Sequence, residues 1–208
     1  ENQRERILAA VADVISAASY AEMTVEDVIA GAGVSRRTFY EHFQNKEEAF
    51  LAAYDEAAAR LLDAVRTAYE SRAGFAERMR AGIEAFLGLL AANPAFARMC
   101  IVEVMAAGPE AVQRRNGAMA AFAAMIEQNA LELLGDPPPS ALTAETVVGG
   151  IYDVIYTRIL EGEIAQLPAL APDLVYAGLL PYVGPDAAET GRGTGATPPP
   201  APAPREAL

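Results

Sequence analysis

Residues 24–46 read TVEDVIAGAGVSRRTFYEHFQNK, and the fold is decided there. Thr24 has the short hydroxyl side chain that accepts from the free amides at a helix start, and Glu26 and Asp27 lie in the first turn, where the helix dipole favours acids. Val25, Val28 and Ile29 recur at helical spacing, and Gly31 and Gly33 close the segment with the backbone freedom of a tight turn. Ser35 then caps SRRTFYEHF, which stops near Phe43. The spacing therefore predicts two short helices, 24–31 and 35–42, joined by a glycine-containing turn. Asn45, with Glu48 three residues on, resembles a capping box opening the next helix.

Working outward, nearly everything to about residue 183 reads as helix. Ile7, Leu8, Val11 and Ile15 form one stripe of an amphipathic helix over 4–19. A long helix to about Arg72 carries Phe50, Leu51, Tyr54, Leu61, Leu62 and Val65. Gly74, Asn93-Pro94 and Gly108-Pro109 divide the next sixty residues or so into helices over 75–92, 94–107 and 109–134, and GDPPPS at 135–140 is a loop. Two more helices, 143–164 and 172–183, complete an all-α fold of about nine. VVGGIYDVIYTRI at 147–159 is rich in β-branched residues, which leaves strand as an alternative; Val148, Ile151, Ile155 and Ile159 on one stripe favour helix. The segment 184–208 holds six of the fourteen prolines and few large apolar side chains, so it is expected to be disordered.

Composition narrows the chemistry. At 208 residues and 52% hydrophobic, the chain can fill a core. Its first residues, ENQRER, are charged and no apolar run is long enough to cross a bilayer, so a cytoplasmic protein with no membrane partner is expected. Cys100 and His42 are single. They cannot build a zinc site, and His42 has no nucleophile nearby, so neither a metal, a cofactor nor a catalytic residue is expected. GRGTG near the end lacks the strand, Lys and Ser/Thr of a phosphate loop.

The formal net charge is −12, yet Arg36, Arg37 and Lys46 outnumber Glu41 across 33–46 and leave that stretch at +2. A helix-turn-helix explains this concentration, because its second helix enters the DNA major groove. Val25, Val28, Ile29, Val34, Phe39 and Phe43 can pack the pair onto the first helix while Arg36, Arg37, Thr38 and Tyr40 point outward. Arginine suits bidentate reading of guanine, and a helix start suits phosphate. Lys46 adds a charge at the next helix start.

The run TVEDVIAGAGVSRRTFYEHFQNKEEAF resembles the DNA-binding segment of the tetracycline-repressor (TetR) family of bacterial transcriptional regulators. The likeness covers residues 4 to about 55 and departs only at Gly31-Ala32, where longer residues are usual. It implies an all-helical homodimer formed largely by the last two helices, a palindromic operator in double-stranded DNA, and usually a small-molecule effector that releases the DNA. By position it implies DNA contacts at Thr24, Ser35, Arg36, Arg37, Thr38, Tyr40, His42 and Lys46. The domains would be 1–46 for DNA, 47–183 for effector and dimerisation, and the tail over 184–208.

For the dimer, Val148, Ile151, Tyr152, Ile155, Leu174, Gly178, Leu179 and Leu180 offer apolar surface and close approach. For a small apolar or amphipathic effector, Phe86, Phe96, Met99, Met105, Phe122, Met125 and Tyr156 are candidate walls. Glu103, alone in CIVEVMAAG, either pairs with an arginine such as Arg98 or faces the cavity, where it would favour a basic or hydroxyl-bearing ligand. The rival functions are a regulator without effector and a helical small-molecule-binding protein without an operator.

Overall fold

The computed structural model describes residues 2–135 and 140–193; the centre of the expected 135–140 loop and residues 194–208 lie outside them. The described residues form helices and the turns between them, with no strand. Helix α1 is Gln3–Ala17, α2 Val25–Ala32, α3 Arg36–His42, α4 Lys46–Glu70 and α5 Phe75–Ala92. Then come α6 (Pro94–Ala97), α7 (Pro109–Leu134), α8 (Ala141–Leu160) and α9 (Ala171–Arg192).

Each of the first helix starts is set by a local device. Asn2 and Glu5 reciprocate across the first turn of α1, and Thr24 and Asp27 do the same for α2. Asn45 caps α4 by accepting from the Glu48 amide at 2.8 Å, while the Glu48 carboxylate reaches one residue further back, to the Gln44 amide. The α1 stripe is buried as the periodicity requires, and Val28, Phe39 and Phe43 seat α2 and α3 against it. Helix α4 serves two layers: its first half packs on α1, with Tyr20 edge-on to Phe50 at 4.9 Å, and its second half packs on α5. Helix α5 in turn rests on α9, and α7 on α8. The stretch 147–159 is helical within α8, with Ile155 and Ile159 buried.

Two expectations fail. The helix 94–107 keeps α form only to Ala97, widens into a π-helical turn at Arg98–Val102, and tightens into a 3₁₀ turn at Glu103–Met105. The wide turn leaves the Ile101 carbonyl able to accept the Tyr152 hydroxyl at 2.5 Å. The disordered tail expected from Gly184 does not begin there. Gly184 takes a left-handed φ of 77°, and residues 185–192 fold back as a further stretch of helix. Small side chains make this possible: a Cβ on Gly191 would collide with the Leu179 side chain and lie 3.3 Å from Ala76. The turn is then fastened from a distance, by the Arg80 guanidinium on the Gly191 carbonyl and by an Arg192–Asp173 ion pair.

Candidate functional site

The α2–turn–α3 unit holds its shape through contacts that leave one face open. Gly33 ends α2 at φ 60°, and a Cβ there would meet the Arg6 guanidinium at 2.9 Å, which donates to the Gly33 and Ala32 carbonyls. Gly31 is ordinary helix, but a Cβ there would lie only 3.3 Å from the Ala10 side chain of α1, so the glycine permits a close approach of the two helices. Thr24 caps α2 with its hydroxyl 2.6 Å from Asp27, and that bond together with the Thr24 amide holds the Asp27 carboxyl below its ordinary range. Ser35 accepts from the Thr38 amide at 3.0 Å.

Beyond that cap, Arg36 and Arg37 are 67% and 89% exposed. Tyr40 and His42 are exposed beside them, and Thr38 is half-buried with its hydroxyl 2.9 Å from that of Ser35. Arg36 pairs with Glu26 at 3.0 Å and lies over the Tyr40 ring at 5.9 Å; Arg37 pairs with Glu41 at 3.0 Å. Such solvated pairs are worth at most about 1 kcal/mol, so phosphate or guanine can displace the carboxylates at little cost. Lys46 is different. Its ammonium donates to the carbonyls of Tyr20, Ala21 and Met23 at 3.1, 3.3 and 2.9 Å, which uses its three donors to close the loop between α1 and α2. The Lys46 ammonium, expected at the DNA, is here engaged with the α1–α2 loop.

A second feature lies between α4, α5, α7, α8 and the wide turn. It is an apolar cavity with ≈ 870 Å³ of atom-free space counting its opening, of which only ≈ 100 Å³ admits the centre of a water-sized molecule. Its walls include Leu61, Val65, Met79, Ile83, Met119 and Ile126, and the edge-on pair Phe86 and Phe122 at 5.8 Å. Tyr54, Cys100, Tyr152 and Arg115 gather at one end. Burial pushes the Cys100 thiol up to about 12 and raises the Tyr54 and Tyr152 phenols, with the Arg115 guanidinium opposing the rise at both phenols.

A sequence model described as "Bacterial regulatory proteins, tetR family" matches residues 7–53. The HTH-type transcriptional regulator EthR of Mycolicibacterium smegmatis is 30% identical over 185 residues, covering 86% of this chain and 83% of that protein. The chain belongs to the TetR family. Its fold is shared with FadR from Bacillus subtilis, solved in complex with stearoyl-CoA, at a TM-score of 0.75 and 20% identity, covering 86% of this chain and 98% of that one. SmeT, the repressor of a Stenotrophomonas maltophilia multidrug efflux pump, aligns at 0.69 and 21% identity, covering 86% and 89%. This TetR-family chain is thus a DNA-binding transcriptional regulator, and no single helix among its described residues is long and apolar enough to cross a membrane.

The regulatory part corrects several residue expectations. Phe86, Phe122 and Met125 do line the cavity. Phe96 and Met99 instead border a depression beside α1, Met105 is 45% exposed, and Tyr156 stacks on Tyr152 without reaching the wall. Glu103 is buried but faces no ligand: it pairs with Arg98 at 2.9 Å and accepts from the Tyr20 amide at 2.9 Å, so the basis for a basic effector is gone. The expected dimer residues turn inward. Val148, Ile151 and Tyr152 line the cavity, and Ile155, Leu174, Gly178 and Leu179 are buried within the protomer, because those stripes pack α8 and α9 onto their own subunit. Leu180 alone of that set is exposed. Outward, α8 presents Leu142 and Leu160, 65% and 55% exposed, with Val154 between them and open space over Gly149 and Gly150.

Proposed function

We propose that the protein is a homodimeric repressor that holds a palindromic operator through α3 of each subunit and releases it when a small effector enters the cavity. Residues 1–46 are then the DNA-binding domain, and the rest, including the folded-back 185–192 stretch, binds effector and dimerises. One observation carries the reading: a capped α3 with Arg36, Arg37 and Tyr40 on the open surface sits in the same chain as an apolar cavity. The related structures support it, since FadR was solved with stearoyl-CoA and SmeT is a repressor. For the DNA contacts, Thr24, Ser35 and Thr38 place helix starts and hydroxyls, and Tyr40 and His42 flank the arginines. The outward face of α8, with Leu142, Val154 and Leu160 around the two glycines, joined by Leu180 of α9, supports pairing of two subunits.

A route for the signal runs through the wide turn. The Tyr152 hydroxyl at the cavity holds that turn through Ile101, and Glu103, two residues on, holds the α1–α2 loop at Tyr20. Lys46 grips the loop from α4. A ligand that shifts Tyr152 thereby acts on the orientation of α2 and α3, and a dimer needs its two recognition helices about 34 Å apart to meet successive grooves. Selection of bound sequences from a random DNA pool tests this. Enrichment of an inverted repeat with half-sites about one turn apart, or a multiple of it, is the expected result; a single unpaired half-site, or no enrichment, refutes the dimeric operator reading.

A further inference from the structure

Among the described residues the cavity wall contains one charged side chain, and its state points to the ligand. Arg115 enters from α7 with its guanidinium 3.9 Å over the Tyr152 ring. Its Nη1 donates to Asn116 at 2.9 Å, while its Nε is buried with no hydrogen-bond partner. Among the described residues no carboxylate pairs with it, although the neighbouring Arg114 pairs with both Asp55 and Glu110. A guanidinium half-sunk in an apolar wall with its Nε unpartnered and only the Tyr152 phenol and Asn116 beside it is costly to keep, and the group that relieves it is an anion with oxygens in one plane.

The remaining wall sets the rest of the ligand. On α4 it runs from Tyr54 to Tyr69, fifteen residues and so about 22 Å at 1.5 Å per residue; on α7 it runs from Arg115 to Ile126, eleven residues and about 16 Å. The Arg114–Asp55 pair sets the start of α7 against the early part of α4, so Arg115 stands at one end of the slot and Tyr69 at the other. The nineteen other wall residues carry no charge, so the space beyond the guanidinium suits an apolar chain.

We infer that the effector is a long-chain carboxylate, its head group on Arg115 beside the Tyr152 hydroxyl and its chain along the slot towards Tyr69. This rests on the reading of the cavity as the effector site. The head group then competes with the Ile101 carbonyl for the Tyr152 proton, which is where the wide turn is held.

The test is calorimetric titration of the full-length protein with dodecanoate, dodecan-1-ol and dodecanoyl-CoA, all below their micelle concentrations. Wild type should bind the acid roughly tenfold or more tightly than the alcohol, as a charge-assisted bidentate contact exceeds a neutral one. Arg115→Gln should level acid and alcohol while leaving the alcohol's affinity in place, and Arg115→Lys should regain part of the difference. Equal binding of acid and alcohol by wild type, an unchanged preference in R115Q, or a thioester that outbinds the acid overturns the carboxylate head group while the cavity reading stands. Ala118→Phe, which narrows the slot, should lose both acid and alcohol. If wild type binds none of the three, or A118F binds them unchanged, the cavity reading fails and the inference falls with it.

Discussion

Glu103 should be worth more to this protein than any surface carboxylate, and its replacement measures the link between the two parts of the chain. Its side chain is 5% exposed, and it makes two contacts of 2.9 Å, one to Arg98 and one to the Tyr20 amide. In Glu103→Ala the half-buried amide loses a charged acceptor, a loss of about 1.5–3 kcal/mol. The Arg98 pair adds less, about 1 kcal/mol, because the arginine side chain is 35% exposed and water takes over part of its solvation. The sum is about 2.5–4 kcal/mol, a large part of the stability of an ordinary domain. Glu103→Gln keeps an oxygen for Tyr20 and should lose only about 1 kcal/mol. Urea unfolding followed by far-UV circular dichroism reads both, and hydrogen exchange at the Tyr20 amide should accelerate strongly in E103A and little in E103Q. If E103A unfolds within about 0.5 kcal/mol of wild type, or the Tyr20 amide stays equally protected, Glu103 does not clasp the two parts together.

Arg36→Ala and Arg37→Ala should each weaken operator binding by about 1–3 kcal/mol with unfolding unchanged, and should lower the slope of log affinity against log salt in mobility-shift titrations. Cys100, titrating at about 12 against an ordinary 9, holds roughly a thousandth of the usual thiolate at neutral pH, so the native protein should resist iodoacetamide until urea exposes the thiol. Asp27 is held below its ordinary value in the folded state, so its contribution to stability is complete above the ordinary aspartate range and disappears as pH falls through the lower, folded value. Thr24→Val removes the hydroxyl that lowers it and should flatten that acid limb in thermal melts taken from about pH 5 down to about pH 2, whereas an unchanged limb would assign the acid sensitivity elsewhere.

The range of each interaction decides how much of the fold and site is legible in the sequence. The DNA-binding unit is local: caps at Thr24, Ser35 and Asn45 act within three or four residues, and the apolar spacing of Val28, Phe39 and Phe43 records one burial direction. The all-helical class is legible for the same reason. The role of Lys46 is not, because its carbonyl partners lie 23–26 residues back in a loop that composition leaves blank. The 185–192 stretch escapes a reading by composition because Ala188 and Gly191 bury little area themselves; close fit and Arg80, 111 residues away, order them. The stripe at Val148, Ile151 and Ile155 is apolar but directionless. Periodicity tells that a face is buried and not whether core, cavity or a second subunit covers it, and here it is core and cavity. Arg115 carries no signal at all beside Arg114, since only the wall opposite distinguishes a solvated arginine from one above a tyrosine ring.

A short signal route suffices for such a protein. Coupling between effector and operator need supply only about 1–3 kcal/mol, the scale of one or two hydrogen bonds. Between the cavity and the α1–α2 loop this chain places two, Tyr152 to Ile101 and Glu103 to Tyr20, separated by a turn that has already left α geometry. In a regular helix the Ile101 carbonyl would also be bonded to the amide four residues on, so Tyr152 would share it with the helical ladder. Pulling on Ile101 therefore changes the turn that positions Glu103 without first breaking a helical ladder. Tyr152→Phe should accordingly uncouple rather than unfold: operator binding persists, and the ligand that lowers it in wild type loses most of its effect. Retention of the full effect in Y152F would place the route elsewhere in the cavity wall.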